Sequence, residues 1–294
     1  MIEFEENTKY GYGIRKSIVF YFFDSIDSKK IEIIENIIHT FIELFQVKFN
    51  KKRINDEYDF RNIRGGWQKI FHKVCEVDDF KNHAHIVEFL EGDEEYLLNH
   101  RVYMILWEGN LPSRLIFHCR QQTEWEQIYQ FMEYVNEQLE VHFASSGYDI
   151  VDNPWKGGAP YAVRSLKKSR ILNSYMTEWD NMGYILKEKS GICCPNIIQI
   201  LSPDFYHRLD LNRIDTSGII NTKMVRRNLM IDILDIKDRK FVEPELSELE
   251  QRMDSLYQML KPIVIEYDRM MYLKPDAWEQ RMRRFEYIEE DANE

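Results

Sequence analysis

Residues 15–23 read RKSIVFYFF, and this run decides the class of the fold. From Ile18 on it is an unbroken series of β-branched and aromatic residues with no polar face to turn to water, which predicts a strand buried on both sides. Asp24 and Ser25 end the run, and Ser28 is placed to cap a following helix. In that helix Ile31, Ile34, Ile37, Ile38, Phe41, Ile42 and Phe45 recur three and four positions apart, which gives it one apolar face.

The same alternation of strand and amphipathic helix continues outward. Residues 97–107 (LLNHRVYMILW) predict a strand, Glu108, Gly109, Asn110 and Pro112 a turn, and residues 114–119 (RLIFHC) an antiparallel return. Thr123 with Glu126 has the spacing of a capping box, opening a helix with Ile128, Phe131, Met132, Val135 and Leu139 inward. In the second half, residues 191–202 contain a strand, Pro203 and Asp204 start a short helix, and 219–225 and 229–234 are strands meeting at Arg226-Arg227. Ser247 with Glu250 is a second capping box, with Leu249, Met253, Leu256, Leu260 and Ile263 on the inner face. Residues 79–90 are predicted helical, the charged segment 47–66 a loop closed by Gly65-Gly66, and the Gly- and Pro-bearing segment 145–161 a lobe boundary or functional loop. The expectation is an α+β protein with two strand–helix lobes, 1–160 and 161–294, mixed or antiparallel sheets flanked by amphipathic helices, packed as one body.

Composition limits what such a body does. With 44% hydrophobic and 14% aromatic residues among 294, the chain has ample material for a core and is not a disordered sequence. Its 50 acidic against 39 basic residues give a formal charge of −11, which repels phosphate backbones and favours a basic partner. No direct nucleic-acid binding is expected. Residues 1–13 lack the basic and apolar regions of a signal peptide and no apolar run spans a bilayer, so a cytoplasmic location is expected and no membrane contact. Cys75, Cys119, Cys193 and Cys194 follow no metal or redox spacing, and buried free thiols are expected.

No set of residues satisfies a catalytic pattern. Pro203-Asp204 followed by Asp235-Ile236-Lys237 has the letters of a PD-(D/E)xK nuclease, whose carboxylates hold a divalent metal while the lysine orients water. The first pair, however, looks like a helix start and the second falls where its strand runs out. His83 and His85 would share a face and could hold a metal on a strand, but diverge on the predicted helix. There is no GxSxG elbow, and Gly11 and Gly13 are too few to cradle a phosphate. The chain is therefore expected not to be an enzyme, with no catalytic residues, metal or cofactor. Its acidic residues are expected to cluster on the surface instead, Glu88, Glu91, Asp93, Glu94 and Glu95 in one group and Asp232, Asp235, Asp238, Glu243 and Glu245 in another. From these Glu91, Asp93, Glu94, Glu95, Asp235 and Asp238 are singled out. With Asp152 and the aromatic residues Trp155 and Tyr161, these are the expected partner-binding residues: the acids steer and the rings anchor.

The order of segments resembles a known family. SSGYDI (145–150) is followed by SYMTEWDNMGYI (174–185), a strand ending at Leu201-Ser202 and a return strand LMIDILD (229–235). A closing helix and Trp278-Glu279-Gln280-Arg281 then lead to Arg284-Phe285. This resembles the bacterial type VI secretion immunity proteins, once grouped as a domain of unknown function and associated with VRR-NUC nuclease toxins. The resemblance runs from the first strand to Phe285 and departs at segment 47–66. It implies an inhibitor that binds a cognate toxin, a nuclease first among candidates, and blocks its active site. It carries no catalytic residue, and Trp179, Trp278, Arg284 and Phe285 are expected to pack internally. An adaptor or chaperone that delivers an effector is the alternative, and a metal-dependent PD-(D/E)xK-like nuclease a more distant one.

Overall fold

The computed structural model describes residues 12–55, 57, 59–76, 80, 83–92, 99–108, 111–152, 170–174, 191–192, 195–211 and 219–264. Residues 15–22 of the run lie within β1 (Tyr12–Phe22), where Ile18 to Phe22 are wholly buried, whereas Phe23 falls past the strand end and is exposed. β1 is followed by α1 (Ser28–Phe45), β2 (Lys51–Ile54), β3 (Arg61–Asn62), α2 (Trp67–Cys75), β4 (His85–Leu90), β5 (Arg101–Leu106) and β6 (Ser113–Cys119). Next come α3 (Trp125–Gln138), β7 (Phe143–Asp152), β8 (Leu172–Ser174), β9 (Ile198–Leu201) and α4 (Pro203–Tyr206). β10 (Asn221–Val225), β11 (Asn228–Asp232), β12 (Asp235–Lys237), β13 (Lys240–Val242) and α5 (Leu246–Leu260) complete the described elements.

The protein is α+β and mostly strand. Eleven strands form one sheet in the order β10-β11-β9-β7-β1-β6-β5-β4-β2-β3, with β8 added parallel to β7 and the other pairs antiparallel. Strands from both halves of the chain join in it, because β7 pairs with β1 on one side and β9 on the other. β12 and β13 form a separate hairpin. Among the described residues no helix is long and apolar enough to cross a membrane.

Several local expectations are corrected. Segment 145–161 begins as β7, one of the most buried strands, rather than as a loop. Residues 85–90 are β4 and not helix, and the helix in this region is α2, upstream. Segment 47–66 contains β2 and β3. Asp27, not Ser28, caps α1, its Oδ1 accepting from the Lys30 amide at 2.7 Å. Neither capping box forms, since α3 and α5 start after Glu124 and Glu245 without a side-chain cap. Glu126 is occupied elsewhere, accepting from the Phe241 amide at 2.8 Å.

Alternation along the strands produces two different faces. On one, Phe20 and Phe117 meet Phe41 and Phe45 of α1 and Phe131 of α3, with neighbouring ring centroids 4.7–6.2 Å apart. The other carries a buried file of charged and polar side chains. Arg53 of β2 donates to Glu88 of β4 at 2.7 Å, and Arg101 of β5 pairs with the same carboxylate. Arg101 lies across from His118 of β6, which meets the Ser17 hydroxyl of β1 at 2.9 Å. Ser17 donates onward to Asp149 of β7 at 3.1 Å, and Arg15 binds that carboxylate at 3.0 Å. Buried charges persist only when paired and hydrogen-bonded, and here Glu88 answers Arg53 and Arg101 while Asp149 answers Arg15. His118 stays neutral: burial drives its pKa far down, and Arg15 and Arg101 push it further. Cys75 and Cys119 are buried free thiols, the former pushed up to about 12 by burial with Glu35 adding to it.

Asp232, at the end of β11, is buried against its own ionisation. Desolvation raises its pKa to about 6, outweighing hydrogen bonds from the Asn221 carboxamide (2.8 Å) and the Leu234 amide (3.0 Å) and the Arg252 charge. Between its unfolded value of 3.8 and about 6 the folded chain holds the extra proton, so this group's contribution falls as pH rises through that window and stays low above it. Asp232→Asn keeps the accepting oxygen and removes the charge. It is expected to raise stability at pH 8 by about 2–3 kcal/mol and to change little at pH 4. Urea midpoints of the two proteins at both pH values check this, and an equal shift at both would contradict it.

Candidate interaction surface

The structure separates the expected partner-binding residues by what already holds them. Glu91, just beyond β4, accepts from His100 Nδ1 at 2.8 Å, Arg120 Nη2 at 3.0 Å and the Lys48 amide at 3.2 Å. Burial works to raise its pKa, but these hydrogen bonds and the nearby cations prevail and hold the carboxyl below its usual range. Glu91 therefore ties three segments together. Asp235 opens β12 and is bound by Arg252 at 2.6 Å and Lys237 at 3.1 Å. Asp238 is exposed in the turn of the β12–β13 hairpin. Asp152 is the last residue of β7, but its side chain, like Asp93, Glu94, Glu95, Trp155 and Tyr161, lies outside the described residues, as do Trp179, Trp278, Arg284 and Phe285.

The hairpin is thus where the expected acidic residues meet exposed apolar surface. Its turn residues Asp238 and Arg239 both take positive φ (51° and 64°), the geometry of a tight two-residue turn matched to strand twist. Its inner side is anchored twice. Phe241 stacks on Tyr129 of α3 with centroids 3.7 Å apart, and its amide is held by Glu126. On the other side Arg252 of α5 bridges Asp235, Glu248 and the Ile233 carbonyl. Ile236, paired with Phe241 and so on the same face of the hairpin, is nonetheless 59% exposed, and Val242 on the opposite face and Leu246 are also open to solvent. Apolar side chains on a seated hairpin, among Lys237, Asp238, Arg239 and Lys240, combine a desolvatable centre with a charged rim. At the end of the strand order Thr222, Lys223 and Met224 of β10 are exposed too.

The residues weighed for catalysis are dispersed. Asp204 sits in α4, mostly exposed, 3.9 Å from His142, whereas Asp235 and Lys237 belong to the separate hairpin. His85 opens β4 buried against Phe80, and His83 before it is exposed. Among the described residues no three His, Cys, Asp or Glu side chains gather as a metal site would require.

One constellation was not expected from the sequence. Lys16 of β1 is buried beneath α3, its ammonium donating to the Thr123 carbonyl at 2.7 Å and lying 4.4 Å from the Trp125 ring centroid. Glu243 accepts from Trp125 Nε1 at 2.9 Å and from the Tyr148 hydroxyl. Burial lowers the Lys16 pKa to about 8, with Glu243 and Glu124 opposing the shift. The signal available beforehand was a lysine inside an apolar strand, which demands polar partners that only the fold reveals.

No protein-family model matches this chain, and no curated protein does. Among solved structures it is similar to a Pseudomonas aeruginosa T6SS protein, PA0821, with a TM-score of 0.72 over 94% of this chain and 82% of that one. The two sequences are 12% identical, so what they share is the fold.

Proposed function

We propose that this chain is an immunity protein of a type VI secretion system, binding a cognate toxin and blocking its active site. The observation that carries the reading is the fold shared with a T6SS protein along almost the whole chain. The order of sequence segments resembling type VI immunity proteins supports it independently. A nuclease is first among the toxins considered, because a chain of charge −11 is drawn to the basic cleft in which a nuclease holds phosphates. In this reading the protein acts by occupancy and not by catalysis. The β12–β13 hairpin supplies apolar contact through Ile236, with Asp238 in the turn that follows it.

The test is co-expression with the toxin encoded beside it. Growth rescue together with co-purification supports immunity, whereas co-purification without rescue replaces it with an adaptor role, and neither outcome removes both. Ile236→Asp changes an exposed residue, so its melting temperature should match the parent. It is expected to weaken toxin binding by about tenfold or more, the effect of one lost apolar anchor. Titration calorimetry reads this, and unchanged affinity would place the interface elsewhere.

A further inference from the structure

At the β2–β3 end of the sheet, far along the strand order from β10, a cavity of about 560 Å³ opens between β2 and α2. Four cations line it: Lys52 of β2, Arg64 before the Gly65-Gly66 turn, and Lys69 and Lys73 of α2. None of the four side chains makes an ion pair or hydrogen bond with the described residues, although acids outnumber bases in the chain. The buried arginines behave differently: Arg15 and Arg101 each have a carboxylate. Among the described residues the one carboxylate in the lining, Glu57, is committed to Arg61 at 3.3 Å and to the Ile54 amide at 3.1 Å.

The four gather positive charge at one place in an acidic chain. Lys69 and Lys73 are four residues apart on one helix, a like-charge spacing that destabilises a helix by a few tenths of a kcal/mol. The turn that brings Arg64 to the cleft needs Gly65 and Gly66 at φ +81° and +91°, where a side chain would be strained. Beside the charged residues the described lining holds an apolar strip, Ile54, Ile70 and Val74, together with Asn55 and His85. Cavities of about 300–1,000 Å³ suit small organic ligands, so this one is too large for a lone phosphate ion.

We infer that this cleft is a binding site for a small phosphorylated molecule with an apolar body, the chemistry of a nucleoside polyphosphate. The cations take the phosphate oxygens and the Ile54–Ile70–Val74 strip takes the apolar body. The site is separate from the β12–β13 hairpin and does not depend on the toxin reading. It also gives the segment 47–66, which departs from the family pattern, a chemical role.

The experiment is titration calorimetry of the full chain with ATP, adenosine and pyrophosphate as separate probes, without divalent metal. Saturable ATP binding at one site, weakened by salt, tighter than pyrophosphate and absent for adenosine, is expected. Lys69→Glu with Lys73→Glu should weaken ATP binding by about 30-fold or more, and Lys240→Glu on the distant hairpin should leave it unchanged. Arg64→Ala, at an exposed turn residue, is the second variant should the double one not fold, and is expected to weaken ATP by about fivefold. Absence of saturable ATP binding, or equal ATP affinity in parent and cleft variants, overturns the site. Pyrophosphate binding as tightly as ATP overturns the ligand class, as does displacement of ATP by an acidic peptide at equal concentration. Toxin rescue is read separately, so failure here leaves the immunity reading standing and the reverse holds.

Discussion

Asp149→Ala is expected to cost about 3–5 kcal/mol of folding stability, the range for removing one partner of a buried ion pair. Asp149 lies on β7 with no exposed side-chain surface, and its Oδ2 accepts from Arg15 and from Ser17. Alanine deletes the carboxylate and leaves the Arg15 guanidinium charged in the same low-dielectric layer, because arginine does not deprotonate there. The loss is not confined to one pair, since Ser17 also meets His118, which faces Arg101 and hence Glu88. Against a total of about 5–15 kcal/mol, the substitution removes a large part of the stability. Replacing both partners, as Arg15→Met with Asp149→Leu, is expected to recover most of the deficit, because no charge is then stranded. Urea unfolding of the single and double variants measures both statements. A single-variant loss under about 1 kcal/mol would show that water reaches the layer.

Phe131→Ala is expected to be comparable, at about 3–5 kcal/mol, for a different reason. The Phe131 ring meets Phe20, Phe41, Phe45 and Phe117, with centroids 4.9–6.2 Å away. It therefore joins the sheet, α1 and α3 at one point. Truncation opens a void that four rings on three elements cannot close together without leaving their rotamers. Phe131→Leu fills most of that volume and is expected to lose less than half as much, which thermal melts of both variants will show.

How much of this was legible beforehand depended on whether a residue's environment is local. β1 was, because its residues from Ile18 on leave no face for solvent, and α1, α3 and α5 were, because their apolar positions repeat with the helix. β7 was not. Ser145, Ser146, Gly147 and Asp149 have the composition of a loop, and they are strand residues because β1 and β9 supply their partners from far away. Gly147 is even demanded by distance, since a methyl group there would overlap the buried Asn196 carboxamide. β4 was misassigned because Glu88 interrupts an apolar run, and the cations that neutralise it sit on β2 and β5. The candidate surface followed the same rule. Counting acids found Glu91, Asp235 and Asp238 alike, but only the fold shows that two are tied internally and one is exposed. The basic cleft collects its four cations from β2, a turn and α2, and no spacing announces that.

The position of β1 also bears on how the protein is made. It pairs with β6 and β7, and its β7 partners lie about 120–140 residues further along, from Tyr21 opposite Phe143 to Tyr12 opposite Asp152. At roughly 5–20 residues per second on the ribosome, β1 emerges roughly 6–30 s before the strand that covers its second edge. Through that interval this largely apolar strand has open hydrogen-bonding groups, a template for any other extended segment. Arg15 and Lys16 stand at its leading end, where paired charges are still missing and solvation of the cations opposes mispairing. The charges that stabilise the finished sheet would then also serve the nascent chain, by keeping that strand soluble until its partners arrive.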